Sequence, residues 1–168
     1  MTAQIGFNPA EVLTTADNTV SGKGAKAGQR YTDFNGNEWI RVHAAAAIPQ
    51  YAVTIVRSSG TANPFSSAHV AGGNGAPLAY GIAASASIAS GSLGWVMTRG
   101  RAAVKVCASS TGTISGQLYA CASANAGLVQ TTASGGVKLT TLFAAATATT
   151  STTASTVAVV FGNILTSA

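Results

Sequence analysis

Acidic side chains are nearly absent from this chain. Its 168 residues hold four, Glu11, Asp17, Asp33 and Glu38, so the 130 positions after Glu38 carry no carboxylate side chain. Charged residues of both signs make up 8%, against roughly 25% in typical soluble domains. Imidazoles are limited to His43 and His69, and thiols to Cys107 and Cys121. These shortages work against most familiar chemistries. Zinc sites need three or four ligands, and this set offers no recognisable ligand spacing. Glycoside hydrolysis normally needs two carboxyls flanking a bond, and only Asp33 and Glu38 lie close enough together to be considered. A Ser-His-Asp triad would have to draw its acid from Asp17 or Asp33, and nothing in the spacing recommends either. The stretch GKGAKAG (22 to 28) fails the dinucleotide fingerprint, and neither a phosphate-binding P-loop nor a G-x-S-x-G elbow occurs. The chain is therefore expected not to be an enzyme and to need neither cofactor nor metal.

No apolar run approaches the ~20 residues needed to span a bilayer. The start, MTAQIGFNPAEV, shows no basic region followed by an apolar one. A soluble protein made in a cytoplasm and without a membrane partner is expected. Two cysteines do not make a disulfide framework. If VKVCAS and LYACAS pair as antiparallel strands about a loop near Ile114, the thiols could face each other. Small, half-buried, reduced residues are the favoured reading, with a disulfide as the alternative.

Positive charge is unevenly placed. Residues 1–38 hold Lys23, Lys26 and Arg30 against four acids, a balance of −1; the rest holds six cations and no acid, a balance of +6. One sign over so much chain favours an acidic partner. Six charges are too sparse, without a basic run or interleaved aromatics, for direct nucleic-acid binding to be expected. So few charges fit a protein whose surface is largely covered by partners.

Residues 1–29 read as an extended arm with one short helix start at Asn8-Pro9-Ala10-Glu11, where Asn8 caps and Pro9 opens the turn. Residues 30–168 read as one all-β domain, a small antiparallel β-barrel or β-sandwich. Strand-like runs recur there, each bounded by Gly, Pro, Asn or Ser: RYTD, EWIRVH, YAVTIVR, LAYGIAA, SLGWVMT, RAAVKVCAS, GQLYACAS, GLVQTT, VKLTTLF and STVAVVFGNIL. The Thr-rich run at 144–156 reads as a loop. If Arg99-Gly100 is a tight turn, Trp95, Met97, Ala102, Val104 and Val106 line an apolar face. Val96, Thr98, Arg101, Ala103 and Lys105 then line the other.

The stretch YTDFNGNEW (31 to 39) contains the only close acidic pair and can be tested by register. A two-residue turn at Asn35-Gly36 sets Asp33 opposite Glu38 and Arg30 opposite Arg41, two like-charge repulsions. A three-residue loop removes both. Asp33 then starts a type I turn, Gly36 takes the left-handed position of a bulge, and Tyr31 pairs with Trp39 and Thr32 with Glu38. In this register Asp33 and Glu38 point to opposite faces and cannot act as a dyad. Glu38 is left to pair with Arg30 or a neighbouring subunit. Tyr31, Trp39, Arg41 and His43 share a face that either covers core or forms a contact surface.

The order of several short phrases resembles that of head decoration, or capsid cement, proteins of tailed bacteriophages. They are Asn35-Gly36 followed by Trp39, AYGI (79–82), GSLGWV (91–96), Gly100, GQLY (116–119) and GLV (127–129). The resemblance covers roughly residues 28–162. It implies a small β-barrel or sandwich on the outer capsid surface of a virion, made in the host cytoplasm. Its partners would be the major capsid protein and itself, as a dimer or trimer. Many weak contacts repeated by the lattice would clamp adjacent capsomers. From its polar, glycine-rich composition alone, the N-terminal arm is expected to lie across a neighbouring capsid subunit and to order on binding. The candidate interface residues are Tyr31, Glu38, Trp39, Arg41, His43, Arg99, Arg101 and Lys105. A tail tube, fibre or adhesin component is the competing expectation.

Overall fold

The structure, a computed structural model, describes residues 7–14, 26–66, 77–107, 112–121, 126–130, 137–150 and 156–161. Among the described residues there are ten strands and no helix. They are β1 (Arg30–Thr32), β2 (Glu38–Ala44), β3 (Val53–Arg57), β4 (Thr61–Pro64), β5 (Pro77–Ile82), β6 (Leu93–Lys105), β7 (Gly112–Ala120), β8 (Val129–Gln130), β9 (Val137–Thr150) and β10 (Thr156–Phe161).

Five of these close into a barrel. β2 pairs in parallel with β4, β4 with β3, β3 with β5, β5 with β6, and β6 returns to β2. The expectation of an all-β fold with a small barrel holds. Its bore is filled by Ile40, Val42, Ala44, Val56, Ala62, Ala79 and Val96, all buried in one cluster. Five strands leave a narrow interior, which is why so many inward positions are Ala or Gly. A Cβ on Gly94 would sit 2.7 Å from Ile88 Cδ1, and one on Gly81 3.1 Å from Val96 Cγ2.

The alternate positions face outward and form a second cluster. Trp39, Val53, Ile55, Ile82, Trp95 and Met97 from the barrel wall pack with Val104, Val106, Leu118 and Val129. Those last residues belong to a second sheet, in which the far half of β6 pairs with β10, then β9, β7 and β8. A bridge between Val106 and Val129 brings β8 back to the end of β6.

The arm is not an excursion away from the domain over its described part. Leu13 bridges to Leu93 with both main-chain bonds at 2.8 Å, and Phe7 joins the outer cluster. Asn8-Pro9-Ala10-Glu11 forms a turn and does not continue into a helix. Asn8 Oδ1 accepts from the Ala10 amide at 3.1 Å and the Glu11 amide donates to the Asn8 carbonyl at 3.0 Å.

Two sequence expectations need correction, and one strand was not expected. Arg99-Gly100 is not a tight turn, because β6 runs through it without a break from Leu93 to Lys105. The proposed division of faces survives for another reason. A bulge where Glu38 meets Arg99 and Trp39 meets Met97 shifts the alternation, so Met97 and Val104 still enter one cluster. The Thr-rich segment is strand up to Thr150, paired with β7 through Thr150↔Gly112 and Thr149↔Thr113, as suits β-branched residues. Residues 151–155 lie outside the described part. The short strand β4, with sequence TANP, went unread because it is brief and ends in proline.

Gly100 sits at φ +135, and a Cβ there would run into Asn37 Oδ1, with Asn37 Cγ at 2.9 Å. Gly91, at φ +77, faces open space. Gly100→Ala is therefore expected to lower stability by about 2 kcal/mol or more, combining backbone strain with the clash. Gly91→Ala carries the backbone term alone, about 1 kcal/mol. Urea midpoints at unchanged m-value measure both.

Candidate functional site

The β1–β2 hairpin is built around one carboxylate. The Gly36 amide donates to the Asp33 carbonyl at 3.0 Å, closing the turn, and Gly36 takes φ +78. Asp33 Oδ1 accepts from the Asn35 amide at 2.9 Å and the Asn37 amide at 3.0 Å. Its Oδ2 accepts from Asn37 Nδ2 at 2.9 Å and Trp39 Nε1 at 3.0 Å. The register is Tyr31↔Trp39 and Thr32↔Glu38, as the charge argument requires. Burial would push the Asp33 carboxyl up. The bonds from the Asn37 side chain, Trp39 and the amides of Asn37 and Asn35 outweigh it and hold the group below its ordinary value of 3.8. Asp33 is thus the fastener of the loop, with both carboxylate oxygens taken up by four donors.

Glu38 faces the other way and pairs with Arg99 across the β2–β6 seam, Nη1 to Oε1 at 3.2 Å. Thr98 Oγ1 donates to the Glu38 carbonyl at 3.3 Å. Glu38 therefore pairs with Arg99 and not with Arg30, because the bulge brings Arg99 directly opposite it. With Arg99 58% exposed, such a pair adds at most about 1 kcal/mol.

The outer face of β2 is aromatic and largely covered. Trp39 is buried and Tyr31 is exposed. Phe7 stacks on Tyr31 with centroids 4.0 Å apart and planes at 16°, and meets Trp95 edge-on at 5.0 Å. Arg41 is buried, with its guanidinium 4.6 Å from the Trp95 ring centre and its Nη2 paired with Glu11. Trp39 and Arg41 are therefore not exposed contact residues on the single chain. The first packs in the outer cluster; the second needs the arm's Glu11 as its counter-charge, since an unpaired buried cation is costly. His43 is half-buried on β2, opposite Leu93 and Thr61. His69 lies outside the described residues. Among the described residues no three His, Cys, Asp or Glu side chains gather as metal ligands, and no helix is long and apolar enough to cross a membrane.

The cations of β6 remain outward. Arg99 and Arg101 are exposed and Lys105 is half-buried. Arg101 and Lys105 share the face opposite Val104, so the far half of β6 is basic on one side and apolar on the other. The tip of the β1–β2 hairpin abuts this strand, with Asn37 beside Gly100. Sequence reasoning missed the residue at that tip, Phe34, which is 97% exposed. Its signal was a large apolar side chain inside a turn. Phe7 and Glu11 were missed as well, because their contacts are made across long sequence separations.

The two cysteines meet, though not through pairing of their own segments. The Cys107 amide donates to the Val129 carbonyl at 2.8 Å and the Cys121 amide to the Leu128 carbonyl at 3.1 Å. Both are buried free thiols, hydrogen-bonded to each other. Burial first, then Cys107, pushes the Cys121 thiol up to about 12.

No family model, curated protein or solved structure matches this chain.

Two outcomes are expected from this geometry. Asp33→Ala removes four accepted bonds and is expected to cost about 2 kcal/mol at neutral pH. Because the folded pKa lies below 3.8, this stabilisation is fully present above 3.8 and is lost as pH falls through the folded value. The gap in urea midpoint between wild type and variant should thus be flat down to about pH 5 and close below it. The thiols should ignore a disulfide reagent such as DTNB in the native state at about pH 8, and both should react after denaturation.

Proposed function

We propose that this chain is a structural virion protein that binds the outer surface of an assembled phage head and stabilises contacts between major capsid proteins. The observation that carries this reading is the outward basic face of β6, Arg101 and Lys105 with the Glu38-paired Arg99 at its edge, in a chain with no acidic side chain after Glu38. A rigid, sparsely charged barrel presenting one sign of charge suits docking on an acidic protein surface. The resemblance of its short phrases to cement proteins points to the same partner. Each contact is weak, and the symmetry of the lattice multiplies them. The described part of the arm is already engaged with its own barrel, so in this reading docking is by the face and not by a reaching arm.

Purified protein mixed with undecorated heads, then imaged and sedimented, tests the proposal. Density at capsomer junctions, higher heat resistance of the heads and weaker binding at high salt are the expected results. Arg101→Glu combined with Lys105→Glu should lower occupancy at least about tenfold. Binding to tails or host cells alone, or binding indifferent to both substitutions and salt, would reject it.

A further inference from the structure

A knob and a cleft of matching chemistry lie on the same hairpin. Phe34 occupies the second position of the type I turn, where most residues are accommodated, yet it is the most exposed large apolar side chain described. The turn beneath it is held by the four bonds to the Asp33 carboxylate, so the ring is carried on a fixed support. Further along the hairpin a cleft of about 370 Å³ opens between Phe7, Gln29, Arg30, Tyr31 and Trp95. Three of its walls are aromatic, and its exposed rim is polar and basic.

We propose that Phe34 of one copy of this chain seats in the aromatic cleft of a second copy. The exposure of Phe34 means that its own cleft does not hold it, so the two can meet only between molecules. Charge favours the pairing: the turn beneath Phe34 carries the Asp33 carboxylate and the cleft rim carries Arg30, while Glu38 is already paired with Arg99. Access is open, because β1 is three exposed residues long and stands at the end of its sheet. An aromatic anchor entering a concave apolar site from a rigid loop has the character of an interface hot spot. Two such contacts related by a two-fold axis, or a ring of them, would use every knob and every cleft. This inference does not rest on head binding and concerns a different face from the basic row of β6.

Sedimentation equilibrium of the intact protein, without heads, tests it. The expected result is concentration-dependent association above the 16.5 kDa single chain. Phe34→Ser should weaken it about 30-fold while leaving the urea midpoint unchanged. Gln29→Trp, which fills the cleft but keeps the knob, should weaken it likewise. Mixing the two variants should restore a one-to-one complex, since one supplies an open cleft and the other an intact knob. A wild-type chain that stays monomeric to about 1 mM, association unaffected by Phe34→Ser, or no complex on mixing would each overturn the proposal. A monomeric wild type whose head binding is lost on Phe34→Ser would also overturn it, assigning the knob to the shell instead.

Discussion

Six register pairs join β2 to β6, from Glu38↔Arg99 to His43↔Leu93, and this seam sets most of what lies around it. Side chains alternate across a strand, so the pairing fixes which residues enter the bore and which face outward. Ile40, Val42 and Val96 go in; Trp39, Arg41, Trp95 and Met97 go out together. A slip of one residue would drive Arg41 into a bore lined by Ala and Val, where no counter-charge could reach it. In the observed register its guanidinium lies over Trp95 and can be met from outside the barrel. Glu11 meets it, and with Glu11 come the turn at Asn8 and the stacking of Phe7 on Tyr31. The docking of the arm is therefore a consequence of barrel closure.

The scarcity of carboxylates takes on meaning in the same frame. Glu11 neutralises a buried guanidinium, Asp33 fastens a hairpin loop, and Glu38 pairs across the seam with Arg99. Asp17 lies outside the described residues. Each described acid thus serves local structure, and the far half of β6 keeps a one-signed face through Arg101 and Lys105. A field of one sign on a rigid surface acts on partners at long range, more through orientation and encounter than through tight pairing.

What could be read from the sequence followed from local rules. The hairpin register was legible because Asp33 and Gly36 have fixed places in a bulged type I turn and because the rival register stacked like charges. The strand content was legible from β-branched runs between Gly and Pro. Barrel closure was not, since it depends on a parallel pairing of β2 with β4 and on β6 running straight through Gly100. A glycine after an arginine looks locally like a turn; only the neighbouring Asn37 and the bulge at the seam show why the strand bends and continues. The partnership of Arg41 with Glu11 was equally hidden, because nothing local to either residue signals the other.

Phe34 is where local rules and the finished fold disagree. The turn requires Asp33 as acceptor and Gly36 for its positive φ, but it places no demand on the residue between Asp33 and Asn35. Loop positions favour polar side chains, and a polar residue there would keep every hydrogen bond of the turn. The arm could have shielded an aromatic at the tip, yet Phe7 covers Tyr31 instead. Folding therefore gains nothing from the ring at this position. Consistency between local preference and global structure is the rule in folded chains, and departures concentrate where function is placed. The support beneath Phe34 strengthens the point, since a ring already held in position loses little freedom on contact. A flexible loop carrying the same side chain would expose as much apolar surface and bind less well.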